Sequence, residues 1–453
     1  MIRSLLLLLA AFQLPAQPPA LTPAQAVDAA LKNYPAIRVS QEQIQAAAAG
    51  ITLARTAYLP RIDALAQVNR ATRNNVFGLL MPQSVIPSIS GPVLGTNNSG
   101  TVWGSALGGL VSWEPFDFGL RRAGVAAAEA ARAQSAAALK RTQFDIAVAA
   151  ADAYLTLAAA QETVRAAQAG VDRAEAVVKT ITALAGAQLR PGADQSRAEA
   201  EVAAARTQFI QADAAVGVAR ATLAQFTGGN PAQMAIAAPA LLRMPPQQPP
   251  APLDFTANPR MLEQTAAVEQ ARAQLKVLER TYFPRFYAQG SVYARGTGAE
   301  VNGNRLGGVN GLGPTVANAA VGFTVSFPIL DLASIRAREA AQSATIRSQA
   351  ARADQIAVEL QAQWNRAAAT YDGARRVAAN TPIQVKAARD ATRQATARYQ
   401  SGLSNVDEVA EAQRLLTQAE IDDALARLNV WRGLLNIAAA VGNLDPFLAE
   451  VSQ

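Results

Sequence analysis

The chain contains no histidine and no cysteine, so carboxylates, hydroxyls, lysines and arginines are left to do chemistry. This removes Ser-His-Asp and Cys-His nucleophiles, thiolate chemistry and almost all zinc or copper sites. Carboxylate-pair hydrolysis and Ser-Lys chemistry stay open. The acids that draw notice are Glu408 and Glu411, three apart after the turn Gly402-Leu403-Ser404-Asn405, and Asp194 at the start of another helical stretch. Such acids can be solvated surface charges on a helix face. Gathered from several chains at a constriction, they favour cations and take part in polar links between neighbouring helices. The carboxylate pair of an envelope enzyme belongs at strand ends in a compact domain, whereas these acids sit on long Ala-rich helices.

The elements that must position these acids are written twice, about 220 residues apart. Asn33-Tyr34-Pro35 opens a helical stretch that runs to Tyr58-Leu59-Pro60-Arg61, and Asn258-Pro259 opens one that runs to Tyr282-Phe283-Pro284-Arg285. With no gap, Pro35 falls on Pro259, Tyr58 on Tyr282 and Pro60 on Pro284. Val111-Ser112-Trp113-Glu114-Pro115-Phe116-Asp117 answers Val325-Ser326-Phe327-Pro328-Ile329-Leu330-Asp331, and both halves close on a Gly-Asn-Pro-like turn. The plan divides the chain into a first repeat (17–232), a Pro/Gln-rich linker (233–254), a second repeat (255–446) and a short tail (447–453).

Between Pro60 and Pro115 the hydrophobic period changes to two. Ile62, Ala64, Ala66 and Val68 alternate with Asp63, Gln67 and Asn69, which predicts a half-exposed strand. A Gly/Pro/Ser/Asn-rich loop spans 74–100, and the chain returns with Trp103, Leu107, Val111 and Trp113 on one face. The two tryptophans, at ~3.3 Å per residue and a tilt of ~40°, stand roughly 25 Å apart along a barrel axis, the height of an outer-membrane apolar band. The stretch from Pro284 to Pro328 repeats the event, with Ala317, Ala319, Val321, Phe323, Val325 and Phe327 alternating with polar residues. The four prolines Pro60, Pro115, Pro284 and Pro328 mark one barrel–helix boundary plane. Trp103, Leu107, Val111, Trp113, Phe323 and Phe327 are the expected membrane-facing residues.

Everything else reads as helix. Thr22-Pro23-Ala24-Gln25 is a capping box with proline at the first helical position. Runs of ~67 residues follow Asp117 and Asp331, each roughly 100 Å long, and returning helices of ~35 residues follow the turns near 186–194 and 401–404. Thr381-Pro382 is expected to kink or restart the second long run. Residues 1–16 read as a secretory signal: Arg3, an apolar run from Leu5 to Phe12, and Leu14-Pro15-Ala16. No other 18-residue apolar run follows, so membrane entry requires a β-barrel. The net charge is +7, but no basic block interleaves with aromatics, which argues against nucleic acid as a partner.

Four strands cannot close a barrel, for which about eight is the practical minimum, so copies must pool strands. In the order of these parts the chain resembles the TolC-type outer membrane efflux proteins over residues 20–446. The Tyr-Leu-Pro and Tyr-Phe-Pro entries into each first strand and the Pro-then-Asp exits carry the likeness. The resemblance implies an α+β membrane protein, a homotrimer. Coiled-coil hairpins form a long α-helical barrel, and four strands per protomer form a transmembrane β-barrel of twelve. It implies an outer-membrane location with a large periplasmic part, contact with outer-membrane lipid, and partnership with a periplasmic adaptor and an inner-membrane pump. The exported cargo would come from a tripartite efflux pump or type I secretion system, with no enzyme activity, cofactor or metal.

By the same resemblance, Glu408 and Glu411 stand six and nine residues after the turn Gly402 and line the periplasmic constriction, with Asp194 as the matching acid of the first half. Leu189, Arg190, Pro191, Gly192, Gly402, Leu403 and Ser404 are the expected adaptor-contact turns. Some members carry a latching arginine where this chain has Ser404. A periplasmic coiled-coil adaptor or structural envelope protein without a barrel is the alternative, and an envelope enzyme a more distant one.

Overall fold

The computed structural model describes residues 20–72, 100–186, 192–237, 239–246, 254–300 and 304–451. The expected export signal and nearly all of the 74–100 loop lie outside these residues. The elements in chain order are α1 (Pro23–Asn33), α2 (Pro35–Thr56), β1 (Arg61–Thr72), β2 (Thr101–Trp113), α3 (Leu120–Gly186) and α4 (Gly192–Thr227). After them come α5 (Pro259–Arg280), β3 (Arg285–Thr297), β4 (Val316–Ser326), α6 (Leu332–Gln400), α7 (Val406–Val441) and α8 (Asp445–Val451). The chain forms two compact units: Met1–Glu42 with Ala136–Gln264 and Arg352–Gln453, and Gln43–Ser135 with Thr265–Ala351.

The second unit holds one four-stranded antiparallel sheet in the order β1-β2-β3-β4. Each repeat supplies one hairpin, and β2 pairs with β3 to join them. All four prolines lie just outside the strands, where a missing N–H breaks no ladder. The first residues beyond them are tied down from neighbouring elements. Arg121 packs over the Tyr58 ring at 4.9 Å, and the Tyr282 hydroxyl donates to Glu339 at 2.7 Å. An aromatic cluster fills the same junction, with Phe118 stacked on Phe283 at 5.0 Å and edge-on to Phe116 at 4.5 Å. Such pairs add about 0.5–1.5 kcal/mol each beyond burial.

Asp117 opens α3. Its carboxylate accepts from the Gly119 and Arg121 backbone N–H groups at 3.1 and 2.6 Å, and from Arg121 Nε at 2.8 Å. Burial pushes its pKa up, but these three donors outweigh burial and hold it below the ordinary 3.8. A lowered folded pKa contributes stability above the unfolded value that is lost as pH falls through the folded one. Asp117→Ala should therefore lower stability by about 1–3 kcal/mol at neutral pH. In thermal melts the gap from wild type should be full above pH 3.8 and close at lower pH; a gap independent of pH would remove the charge from the account.

The first unit is a close-packed helical body. Ala150, Tyr154, Leu157, Leu223, Val430 and Leu435 are fully or almost fully buried, together with Ala26 and Ala30 of α1. Small residues permit the close approach: a Cβ on Gly433 would lie 2.9 Å from Tyr371 Cα. The Tyr154 hydroxyl lies 2.9 and 2.7 Å from the Leu21 and Ala237 carbonyls, and burial raises its pKa. Part of the Pro/Gln-rich segment packs here too, with Leu241 1% exposed and the Arg243 carbonyl accepting from Trp431 Nε1 at 3.0 Å.

Pro382 neither stops nor restarts α6, which runs through it. Proline removes one backbone hydrogen bond, a cost of about 3 kcal/mol or more in a helix interior. Packing on both sides holds the turn: Ala378 and Thr381 are 4% exposed, and the Thr381 hydroxyl donates to buried Asp423 at 2.7 Å.

Candidate functional site

The turn between α6 and α7 is built by its own sequence. Leu403 N–H donates to the Arg398 carbonyl at 2.8 Å and Gly402 N–H to the Tyr399 carbonyl at 3.1 Å. This pattern ends a helix through a left-handed residue, which Gly402 supplies at φ 78°. Asn405 then caps α7 by accepting from Glu408 N–H at 3.1 Å, and Asp407 and Glu408 fall in its first turn, where the helix dipole favours negative charge. Gly402 and Leu403 are exposed and Ser404 is half-buried. Of the matching turn in the first half, Gly192 begins α4 and is exposed, whereas Leu189, Arg190 and Pro191 lie outside the described residues.

Beneath the turns, four helices share one small core. Ile181 from α3, Ala198 from α4, Tyr399 from α6, and Val406 and Val409 from α7 are each at most 3% exposed. Tyr399 also reaches across the first-half acid, donating its hydroxyl to Asp194 at 3.4 Å. The structure thus brings Asp194 to the foot of the turn that leads to Glu408 and Glu411, from a position far away in sequence.

The arginines around these acids are the feature that reading along the sequence missed. Arg398 stands 3.9 Å from Glu408, Arg414 lies 2.6 Å from Glu411 and 3.9 Å from Glu201, and Arg197 lies 2.5 Å from Asp407. Arg197–Asp407 and Arg414–Glu201 each tie α4 to α7. All these side chains are at least about a third exposed, so each pair contributes about 0–1 kcal/mol. Their larger effect is on charge, since Asp407, Glu408 and Glu411 each come with a cation of their own chain. Only Glu411–Arg414, an i,i+3 pair, carries a signal visible in sequence. Among the described residues no group of acids is placed to hold a metal ion.

In the other unit, strand register assembles a single apolar face. Ile62 stands beside Val111, Val111 beside Gly290 and Gly290 beside Val321. The same parity adds Ala66, Leu107 and Ala294, and further along Trp113, Ala288 and Phe323. These side chains are exposed rather than packed: Ile62 is 71% exposed, Val292 70%, Val321 93% and Phe323 63%. Trp103, Leu107, Val111 and Trp113 all lie on this face, and exposed Phe327 follows the last residue of β4. The opposite face carries Asp63, Gln67, Asn69, Gln289, Ser291, Asn318 and Thr324. At the helix end, Glu114 and Arg285 form a two-pronged ion pair at 3.0 and 2.8 Å. No described helix is long and apolar enough to cross a membrane.

Comparison with known proteins places this geometry. The outer membrane efflux protein family matches residues 26–229 and 256–443, one segment per repeat. Protein CyaE of Bordetella pertussis is 28% identical over 215 residues, which is 48% of this chain and 41% of that relative. The solved structure of CusC superposes with a TM-score of 0.74 at 14% identity, over 93% of this chain and 92% of that one. The outer membrane protein VceC of Vibrio cholerae gives 0.70 at 16% identity, over 93% and 96%. At these identities the structures speak for the fold, and the family match covers most of the chain. The chain therefore belongs to the outer membrane efflux protein family, which places it in the outer membrane.

Proposed function

We propose that three copies of this chain pool their sheets into one barrel of twelve strands, and that their helices continue it as a tunnel through the periplasm. The observation that carries this reading is an exposed apolar face running unbroken over four strands, with β1 and β4 as edges. Lipid does not tolerate unpaired strand edges, and closure with further strands is the way to remove them. The face would meet the hydrocarbon, and Pro60, Pro115, Pro284 and Pro328 the headgroup plane. A coiled-coil adaptor without a barrel has no use for such a face. Imaging of detergent-extracted protein tests the assembly: a three-fold cylinder with a detergent belt supports it, and a small belt-free particle ends it.

The tip of α4, α6 and α7 is the proposed periplasmic gate. Asp194, Glu408 and Glu411 would line it, and Gly192, Gly402, Leu403 and Ser404, with Leu189, Arg190 and Pro191, would meet a periplasmic adaptor. That adaptor would connect the channel to an inner-membrane pump or type I secretion system. Tyr399 and the Arg197–Asp407 pair would hold the tip shut, in place of an arginine at position 404. Glu408→Ala with Glu411→Ala leaves Arg398 and Arg414 without these partners, so cation preference should fall and move toward anions while leak rises. Reversal potentials in planar bilayers measure this, and unchanged selectivity and conductance would remove both acids from the gate.

A further inference from the structure

The polar face of the sheet sorts its charges by height. Strand alternation and register put Arg61, Asp63, Arg285 and Arg295 on it, and these are its charged residues among the described strands. At the helix end the cations are matched. Arg61 Nε lies 2.9 Å from Asp63, and Arg285 is held at 2.8 Å by Glu114, the residue after β2. Arg295 stands near the other end of β3, with no carboxylate partner among the described residues.

The row of residues that holds Arg295 is otherwise uncharged and mostly small. β2 sets Gly104, Ala106 and Gly108 beside Thr297, Arg295 and Tyr293, so that strand brings no large side chain alongside it. β4 places Val316 on its other flank, 58% exposed, and Gln67 of β1 lies beyond Ala106 in the same row. Arg295 itself is half-buried. Its backbone is fixed in place, with Thr315 N–H donating to the Arg295 carbonyl at 3.1 Å. The ladder thus anchors a cation that its own sheet does not neutralise.

We infer that Arg295, repeated by three copies, forms a ring in the lumen near the outer mouth, which binds polyvalent anions and gives that end of the channel an anion preference. The inference rests on the barrel reading, in which the helices lie in the periplasm and the opposite strand ends lie toward the cell exterior. Twelve strands about 4.8 Å apart at a tilt of ~40° enclose a wall of roughly 12 Å radius. The Debye length is about 8 Å at physiological salt, so side chains reaching in from that wall hold most of the cross-section in their field. Rings of arginine or lysine select anions and phosphates, and guanidinium forks match phosphate oxygens. The acids of the proposed gate have the opposite sign, so the two ends of the tunnel would favour opposite ions.

The test is current through single assemblies in planar bilayers, with inorganic tripolyphosphate added to the barrel side or to the tip side. From the barrel side it should block wild type, and Arg295→Gln should raise the half-blocking concentration by roughly tenfold or more. Arg295→Lys keeps the charge and should recover part of the block, whereas Arg295→Glu should exchange it for block by spermine. About 1 M salt, at which the Debye length is about 3 Å, should weaken the block. Equal block of wild type and Arg295→Gln, or block from the tip side alone, would overturn the assignment. Should Arg295→Gln fail to assemble, wild type alone decides: no block from the barrel side, or block indifferent to salt, overturns it as well. Wild type without three-fold, belted particles would instead defeat the barrel reading, a separate result.

Discussion

Leu107→Arg should abolish assembly of the channel in the outer membrane. Leu107 sits mid-strand in β2, 57% exposed, opposite Ala66 and Ala294 on the apolar face. An arginine at the hydrocarbon midplane costs about 2–4 kcal/mol, and three copies in the proposed barrel would raise this to roughly 6–12 kcal/mol. That matches the whole stability of a typical folded domain, about 5–15 kcal/mol. Asn318→Arg, on the opposite face of β4, should assemble at near wild-type yield, because pore-side changes tune selectivity rather than insertion. Quantitative immunoblotting of heat-resistant assemblies in outer-membrane fractions compares the two. Normal yield of Leu107→Arg would mean that this sheet does not face lipid.

Tyr399→Ala should have the second large effect, opening the proposed gate. The ring is 3% exposed in a core drawn from α3, α4, α6 and α7, and truncating a buried aromatic costs about 3–5 kcal/mol. Tyr399→Phe keeps the ring and removes the hydroxyl that reaches Asp194, a loss of about 1 kcal/mol. Packing therefore outweighs the hydrogen bond, and the alanine variant should show much higher single-channel conductance than the phenylalanine variant. Equal conductance for the two would assign closure to the polar link, and wild-type conductance in both would place the closing contact elsewhere. The ion pairs are weak by comparison. Arg197→Ala should raise conductance only slightly, since exposed pairs contribute about 0–1 kcal/mol.

Much of this molecule could be read along the chain because its signals are local. Strand alternation at Ile62–Val68 and Ala317–Val325, the Thr22–Gln25 capping box and the Gly402 turn each depend on residues close in sequence. The acids Asp194, Glu408 and Glu411 could be singled out from the turns that precede them. Their environment could not. Arg197 meets Asp407, and Tyr399 meets Asp194, only because α4, α6 and α7 pack together, and no periodicity encodes such a pairing. Pro382 is a similar case: local rules break the helix there, and the buried Thr381–Asp423 contact holds it together.

The sheet divides along the same line. Alternation decides which residues of each strand share a face, since successive side chains in a strand point to opposite sides. It says nothing about which strand lies beside which. Only the pairing of β2 with β3 turns two short apolar stripes into one continuous face and leaves β1 and β4 as the edges. The same pairing sets Arg295 beside Ala106 of β2, away from the acids of the helix end. Element type and polarity follow from short-range sterics and periodicity, whereas register, edge identity and the partners of charged groups depend on long-range contacts that form only once the chain is folded.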